Sequence, residues 1–221
     1  MMRVAPACVN YPNAYPRGRD DSRIWRTVAA TEEKRRVILE AAVRVFAREG
    51  FHASRVGDIA KDAGVAYGLV YHYFESKDAV LEAVFREAWG RLLAAIREVE
   101  ATEESAPDQL ADVVKIVLRA WRDDPDLVRL LVREVTRSPQ LQREIDEISQ
   151  AFEALERLVV RGQEQGTIRR ELDPRLAAFM LYGTLEEILT GWVLGQLPDE
   201  PEDVAAAERG VADTLIRGFL A

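Results

Sequence analysis

The sequence has almost none of the residues on which metal and redox chemistry usually depend. Its 221 residues include one cysteine, Cys8, and two histidines, His52 and His72. One cysteine rules out an internal disulfide and fits a reducing compartment, so we expect a cytoplasmic protein. A helical di-iron site would need two Glu-x-x-His pairs on facing helices, and the single such pair, Glu49 to His52, crosses Gly50. We therefore predict no metal site and no cofactor.

Long apolar runs and the common catalytic motifs are also missing. No apolar run approaches the roughly 20 residues that cross a membrane, and the N-terminal stretch lacks the continuous apolar segment of a secretory signal. Neither a glycine-rich phosphate loop nor a G-x-S-x-G elbow occurs. These absences disfavour a membrane protein and an enzyme. Catalysis and a DNA-free helical scaffold stay open as alternatives.

Charge is distributed unevenly along the chain. The net charge is −8, yet residues 1–80 carry 13 Lys and Arg against 10 Asp and Glu, while residues 81–221 carry 17 against 28. The total charge alone would argue against nucleic-acid binding. The asymmetry instead leaves the first part relatively basic and keeps the acidic part away from phosphates. The 48% hydrophobic content allows a sizeable core in one or two domains.

Residues 54–77, SRVGDIAKDAGVAYGLVYHYFESK, have the layout of two helices joined by a glycine turn. The apolar residues of the first helix recur at helical spacing, at Val56, Ile59, Ala60 and Ala63. Gly64 suits the left-handed conformation that ends a helix, and a short second helix follows it. This helix-turn-helix arrangement is typical of DNA-binding proteins, although similar three-helix units also serve as plain packing modules.

The second helix would present aromatic residues to DNA. Its residues at core spacing are Val70, Tyr73 and Phe74. The residues on the opposite face are Tyr67, Tyr71 and His72. Rings with polar tips can bond phosphates or lie against sugars and thymine methyl groups. We therefore expect the second group to be exposed and to contact DNA.

Small and capping residues complete the predicted DNA-binding surface. Ala66 and Gly68 are small enough to let the backbone approach a groove. Ser76 is a good N-cap, and the helix that it starts, with Lys77 beside it, suits a phosphate. The predicted DNA-binding residues are Ser54, Arg55, Ala66, Tyr67, Gly68, Leu69, Tyr71, His72 and Lys77.

The segment from Thr31 to Phe85 resembles the DNA-binding domain of the TetR family of bacterial one-component repressors. The resemblance rests on AAVRVFAREGF and VGDIAKDAGVAYGLVYHYFESKDAVLEAVF, which include the glycine, the Y-x-Y-F block and the following S-K. Ala66 and Leu69 stand where many relatives carry Ser or Thr, so a helix cap and a phosphate-bonding hydroxyl are missing. The resemblance implies that residues 31–77 bind a double-stranded DNA operator.

Residues 1–30 are interpreted as a disordered N-terminal arm. They contain three prolines and scattered aromatic residues without any period. Their arginines could follow DNA phosphates or enter the minor groove, at Arg17, Arg19, Arg23 and Arg26. A flexible tail without a role is the alternative.

The rest of the chain has a helical pattern throughout. Capping side chains precede a proline at the first helical position at Asp124–Pro125, Ser138–Pro139 and Asp173–Pro174. One long helix is expected from Ser76 to about Ala101, and two others near 174–195 and 201–219. No convincing alternation of period two occurs, so the fold class is predicted to be all-α. It would combine the helix-turn-helix domain with a helical domain over residues 78–221.

From this architecture and the family resemblance, the second domain should bind an effector and dimerise. Aromatic residues such as Trp121, Phe152 and Trp192 could line a pocket, although a core position is favoured for any one of them. A carboxylate in an apolar face, such as that of Glu134, needs a partner, which could be an arginine, a second subunit or a ligand. The candidate effector-binding residues are Trp121, Leu131, Arg133, Glu134, Arg137, Phe152, Tyr182 and Trp192.

Two further segments, LVREVTRSPQLQREIDEI and GQEQGTIRRELDPRLAAFMLYGTLEEILTGWVL, are similar to the fatty-acid-degradation regulators of the TetR family. Long-chain acyl-CoA releases those regulators from DNA. The similarity implies an apolar tunnel for the acyl chain and basic side chains for the CoA phosphates, with Arg129, Arg133 and Arg137 as candidates. A repressor of an efflux or detoxification gene that responds to another small hydrophobic molecule is the alternative.

The resemblance also implies a homodimer. The helix near 174–195 and the last helix carry apolar positions that could join two copies as a four-helix bundle. The predicted interface residues are Leu181, Leu185, Ile188, Leu189, Trp192, Leu215 and Phe219. Two recognition helices would then lie about 34 Å apart, or slightly more, and bind a palindrome.

Overall fold

The computed structural model describes the backbone of residues 21–135 and 146–221, and the side chains of residues 30–134 and 146–221. Within these ranges the regular structure is helical, apart from one isolated antiparallel bridge between Ile168 and Leu220. The predicted all-α class is confirmed. The helices are α1 (Asp21–Glu49), α2 (Val56–Asp62), α3 (Tyr67–Tyr73), α4 (Lys77–Glu100), α5 (Ala106–Asp123), α6 (Pro125–Val135), α7 (Asp146–Glu164), α8 (Pro174–Val193), α9 (Pro201–Val211), a π-helical turn (Ala212–Ile216) and α10 (Arg217–Phe219).

Helix α1 begins earlier than the sequence pattern predicts. Residues 21–30 are helical, so the interpretation of residues 1–30 as a disordered arm is wrong for its last part. The last proline of this stretch is Pro16, and nothing after it blocks helix formation even though the apolar period is absent. Residues 1–20, with Arg17 and Arg19, lie outside the described ranges. Residues 36–221 form one compact unit.

The helix-turn-helix core is built from α1, α2 and α3. Ile59 and Val70 are completely buried, and the Phe46 and Phe51 rings meet edge to face with centroids 5.2 Å apart. Gly64 has φ +66°, which an L side chain rarely adopts, and this turn sets α3 at an angle to α2. Of the residues predicted to be core, Val70 and Phe74 are buried and Tyr73 is half-buried against them. These predictions are confirmed.

The predicted helix starts are also found. The Ser76 hydroxyl accepts a hydrogen bond from the Ala79 N–H at 3.0 Å, and the Asp173 carboxylate accepts one from the Leu176 N–H at 2.8 Å. The Asp124 carboxylate accepts one from the Leu127 N–H at 3.0 Å. Each side chain satisfies a backbone donor that has no partner inside its helix. Ser138 and Pro139 lie outside the described ranges.

The C-terminal end of α4 is held by buried polar contacts. The Gln109 side chain is completely buried and donates to the carbonyl oxygens of Val99 at 3.0 Å and Thr102 at 3.1 Å. It accepts from the Arg161 guanidinium at 3.2 Å, and Arg157 makes two 3.0 Å bonds to the Glu100 carboxylate. Helix α4 is therefore joined at this end to α5 and α7.

Candidate functional site

Helix α3, the recognition helix, presents tyrosines to the surface. The side chains of Tyr67 and Tyr71 are 57% and 45% exposed, and His72 is exposed beside them. The Tyr67 hydroxyl donates to that of Tyr71 at 3.3 Å, and this bond raises the pKa of Tyr71. The Tyr71 hydroxyl is neutral at pH 7, because a phenol ordinarily titrates near pH 10 and this pKa is raised further. The surface therefore offers hydroxyl groups and ring faces in place of formal charge.

The small residues of the recognition helix lie on the same surface. Ala66 and Gly68 are exposed, and Leu69 is half-buried. A methyl group added at Gly68 would meet no atom of the chain within 4 Å. The glycine is therefore not required for packing inside the protein. Ala66 is the N-cap of α3 and forms no side-chain cap bond, consistent with its departure from the Ser or Thr of many relatives.

Two residues predicted to bind DNA have structural roles instead. Ser54 is only 3% exposed, and its hydroxyl donates to the Phe51 carbonyl at 2.8 Å. The Lys77 ammonium donates to the carbonyls of Phe51, His52 and Ser54 at 2.6, 3.3 and 2.9 Å. The prediction for these two side chains is corrected, because their polar groups are already bonded to the turn after α1.

Positive charge near the recognition helix comes from α2 and the residue before it. Arg55 and Lys61 are exposed and make no ion pair within the described ranges. The Arg44 guanidinium is instead bonded to the Asp62 carboxylate, at 2.8 Å from Nε. Arg55 and Lys61 are thus the cations available for phosphates beside α3.

A cavity of about 750 Å³ lies among α1, α4, α5, α6 and α8. Such a volume is in the range of small-molecule sites, and its wall is mainly aliphatic. Side chains of all five helices contribute to that wall, among them Leu39, Val84, Leu92, Val117, Leu131 and Leu189. The part from α1 was missed by the sequence analysis, which confined the effector to residues 78–221. No apolar periodicity marks the cavity-lining residues of α1, because the same helix also packs against α2 and α3.

The charged residues of the cavity are mostly paired. Arg91 contacts Glu87 at 3.2 Å, Arg36 pairs with Glu40, and Arg44 pairs with Asp62. Acidic residues at the α5–α6 junction also line the cavity, namely Asp123, Asp124 and Asp126. The polar residues on the α8 wall are Tyr182 and Glu186. Burial raises the pKa of both side chains, and Glu187 adds to the effect at Glu186.

The predicted effector-binding residues divide between the cavity and the surrounding core. Leu131 and Tyr182 line the cavity. Trp121 and Trp192 form a stacked pair with centroids 6.3 Å apart, and their indole N–H groups donate to Asp199 and Pro198. The pair fastens the segment after α8, so its prediction as effector-binding is corrected. The remaining residues that do not line the cavity are Arg133, Glu134 and Phe152, and Arg137 lies outside the described ranges.

Two of the arginines predicted for CoA phosphates, Arg129 and Arg133, have other partners. Arg133 donates to the Ala47 carbonyl of α1 over a long 3.4 Å contact. Arg129 donates to Asp126 at 2.9 Å, and its guanidinium lies 5.0 Å from the centroid of the Trp121 ring. The cations at the cavity are Arg36, Arg44 and Arg91. Sequence spacing could not identify them because they come from different helices.

The residues predicted for the dimer interface lie largely in the chain's own core. Leu181, Leu185, Trp192 and Phe219 are at most 4% exposed, while Ile188, Leu189 and Leu215 are half-buried. The prediction is corrected for the four buried residues, because they pack inside the chain's own core, and it stays a prediction for the three half-buried ones. The exposed face of α8 carries Leu176, Phe179 and Met180, whose side chains are 55%, 52% and 44% exposed.

Two classes of site are absent from the described ranges. None of the helices there has both the length and the apolar composition needed to cross a membrane. The same ranges hold no group of three or more His, Cys, Asp or Glu side chains arranged to bind a metal ion.

Comparison with known families decides the assignment. Residues 38–84 match the family model of bacterial regulatory proteins, tetR family, and residues 85–217 match that of the C-terminal region of YsiA-like protein. The chain belongs to the TetR family. It is therefore a DNA-binding transcriptional regulator and not an enzyme. The two matches meet at residues 84 and 85, inside α4, so this helix of the TetR-family protein continues from one matched region into the other.

Individual relatives of this TetR-family protein share most of its length. It is 33% identical to the fatty acid metabolism regulator protein of Bacillus subtilis, over 82% of this chain and 93% of that protein. The structure of FadR from B. subtilis in complex with stearoyl-CoA superposes with a TM-score of 0.74, at 32% identity, over 83% of this chain and 98% of FadR. The structure of the fatty acid degradation regulator FadR from Bacillus halodurans superposes with a TM-score of 0.75. It is 33% identical, over 84% of this chain and 95% of that FadR chain.

Proposed function

We propose that this TetR-family protein is a homodimeric repressor of fatty-acid metabolism genes in the cytoplasm, released from a palindromic operator by long-chain acyl-CoA. The observation that carries the proposal is the aliphatic cavity of about 750 Å³. The chain is also 32% identical to a FadR whose structure holds stearoyl-CoA, and the match covers 98% of that FadR chain. An apolar cavity of this kind suits an acyl chain, because burying methylene groups is favourable and non-directional.

The CoA end would meet the arginines of the cavity. Arg36, Arg44 and Arg91 are at least partly exposed and each is paired with a carboxylate. Such pairs contribute little to stability, so an incoming phosphate can replace the carboxylate at modest cost. A guanidinium binds phosphate through two parallel N–H groups. These residues replace Arg129, Arg133 and Arg137 as our candidates for the anionic end.

The proposed switch acts through α1 as well as α4. Leu39 and Val43 of α1 line the cavity, and the Ala47 carbonyl further along α1 accepts the bond from Arg133. A ligand in the cavity therefore pushes directly on a helix of the DNA-binding domain. The far end of α4 is held by Gln109, so α4 would pivot rather than slide. The ligand releases DNA only if it binds the displaced state more tightly.

Dimerisation is proposed through the exposed face of α8. Leu176, Phe179 and Met180 lie one helical turn apart and present apolar side chains to solvent. Contiguous exposed apolar residues on a regular helix are characteristic of an interface, and a twofold axis would place the same residues of two copies together. The two recognition helices would then bind successive major grooves of a palindrome.

The test is a fluorescence-anisotropy titration on the protein's own upstream DNA at about 150 mM salt, where nonspecific attraction to phosphates is damped. We expect tight binding that palmitoyl-CoA abolishes and that CoA alone leaves intact. The matched control is Leu131→Arg, which blocks the cavity and should bind DNA without responding to palmitoyl-CoA. Tight binding that ignores palmitoyl-CoA would reject the acyl-CoA effector and favour another hydrophobic ligand. Absence of DNA binding would reject the repressor itself.

A further inference from the structure

The α8 wall of the cavity carries two polar groups one turn apart in otherwise aliphatic surroundings. Tyr182 and Glu186 line the cavity together with Leu185 and Leu189 of the same helix. Within the described ranges, neither the Tyr182 hydroxyl nor the Glu186 carboxyl makes a hydrogen bond or an ion pair. Both polar groups are therefore open to a hydrogen-bonding partner that enters the cavity.

We infer that Tyr182 and Glu186 form a hydrogen-bonding subsite for the thioester carbonyl of an acyl-CoA. This inference rests on the acyl-CoA effector proposed above and assigns the residues that bind its one polar group inside the cavity. The Tyr182 phenol has one O–H donor, the Glu186 carboxyl has one when it is protonated, and a carbonyl oxygen has two lone pairs to accept them. The subsite is thus matched in number and polarity to a single carbonyl group.

The electrostatics of the wall favour a neutral acceptor over an anion. Burial raises the pKa of Glu186, Glu187 raises it further, and the Tyr182 phenol is shifted in the same direction by burial and by the charge of Glu186. The proton is therefore held more tightly by both groups. A free fatty acid would place a carboxylate against Glu186, where the charge of Glu187 already acts. The subsite consequently selects a thioester over the free acid of the same chain length.

The Tyr182 ring is already oriented for this contact. It packs against Phe152 with centroids 4.9 Å apart and against Trp89 of α4 with centroids 6.0 Å apart. Neighbours on both sides restrict the side-chain rotamers before the ligand arrives, which lowers the entropy cost of forming the hydrogen bond. Phe152 therefore contributes to the site from behind Tyr182, although it does not line the cavity.

The experiment compares palmitoyl-CoA with S-hexadecyl-CoA, a thioether that has a methylene group in place of the carbonyl. Isothermal titration calorimetry measures both dissociation constants on the full-length protein. For the wild type we expect the thioether to bind about tenfold more weakly, the scale of a hydrogen bond to a group otherwise left without a partner. Tyr182→Phe combined with Glu186→Leu should reduce the ratio of the thioether dissociation constant to the thioester dissociation constant to near one. Tyr182→Phe alone should reduce this ratio in part, because it preserves the aromatic packing.

Two matched variants and one further ligand complete the design. Glu186→Gln keeps a donor at the same position and should retain most of the ratio, and Thr184→Ala, whose hydroxyl is bonded to the Met180 carbonyl, should retain all of it. Palmitate should bind the wild type more weakly than palmitoyl-CoA. Equal binding of thioester and thioether by the wild type would overturn the subsite while leaving the effector class intact. A ratio that persists in the double variant would also overturn it, and failure of both CoA ligands to bind would reject the effector class and the subsite together.

Discussion

The ammonium nitrogen of Lys77 lies 2.6 Å from the carbonyl oxygen of Phe51 and 4.5 Å from the centroid of the Phe51 ring. Lys77 is the first residue of α4, and Phe51 belongs to the turn that follows α1. The contact therefore joins the start of the helix that lines the cavity to the helix-turn-helix domain. A displacement of α4 at this end would have to move the turn with it.

Lys77→Met should destabilise the protein. The substitution removes three N–H donations to carbonyl groups and a cation–π contact, and hydrogen bonds to charged groups contribute about 1.5–3 kcal/mol. For a protein of this size we expect a fall in Tm of about 3–10 °C by circular dichroism. The control is Lys61→Met at an exposed position of α2, which should leave Tm nearly unchanged and weaken DNA binding. An unchanged Tm for Lys77→Met would show that the carbonyl contacts contribute nothing.

Gly68→Ala tests whether the backbone of the recognition helix approaches DNA. The added methyl group meets no atom of the chain, and alanine favours a helix over glycine by up to about 1 kcal/mol, so Tm should rise slightly. Operator affinity should nevertheless fall, because the methyl group occupies the space between α3 and the groove. Gly210→Ala in α9 is a matched control, since its added methyl group also meets no atom of the chain. Equal operator affinities for the two variants would contradict a close approach at Gly68.

Met180→Glu should separate the proposed dimer. A carboxylate in an apolar interface loses its hydration without gaining a partner, and two copies would meet across the twofold axis. We expect sedimentation velocity to show a monomer that binds a palindromic operator poorly. Leu194→Glu places the same charge at another exposed apolar residue, just beyond α8, and should leave the dimer intact. A Met180→Glu protein that sediments like the wild type would move the interface elsewhere.

Glu186→Gln should stabilise the protein at neutral pH. Burial raises the pKa of Glu186 in the folded chain, so the folded protein binds more protons than the unfolded chain, and the stability from this proton is lost as the pH rises through the folded pKa. Glutamine has no such loss. Because the carboxyl is only half-buried, we expect Tm to rise by no more than about 2 °C at pH 7, with the difference vanishing below about pH 4.

The control for this pH dependence is Glu103→Gln, at an exposed carboxyl in the loop between α4 and α5. Its Tm at pH 7 should stay close to that of the wild type, because substitutions of exposed residues change stability little. A Glu186→Gln protein that is less stable than the wild type at pH 7 would show that the carboxylate is bonded in the folded protein. That result would also count against an open Tyr182–Glu186 subsite.

Local features of this protein could be predicted from the sequence because their causes lie within a few residues. Gly64 ends α2 through its own backbone conformation, and the Ser76 and Asp173 caps bond to N–H groups three residues ahead. The exposed tyrosines of α3 follow from the positions of Val70 and Phe74 on the opposite face. Period and capping therefore determine the all-α class, most helix boundaries and the exposed aromatic face of α3.

The sites formed between helices depended on tertiary packing. Leu181 and Met180 are neighbours in an apolar helix, yet one is 1% exposed and the other 44%, because the surrounding helices cover only one face. The Lys77 ammonium would suit a phosphate, but it is bonded instead to a carbonyl of the turn after α1. The sequence by itself determined a TetR-like DNA-binding unit and a helical partner domain. Only the packing of distant helices decided the position of the cavity, its arginines and the outward face of α8. An apolar period shows that a helix face is buried, but not which other element covers it.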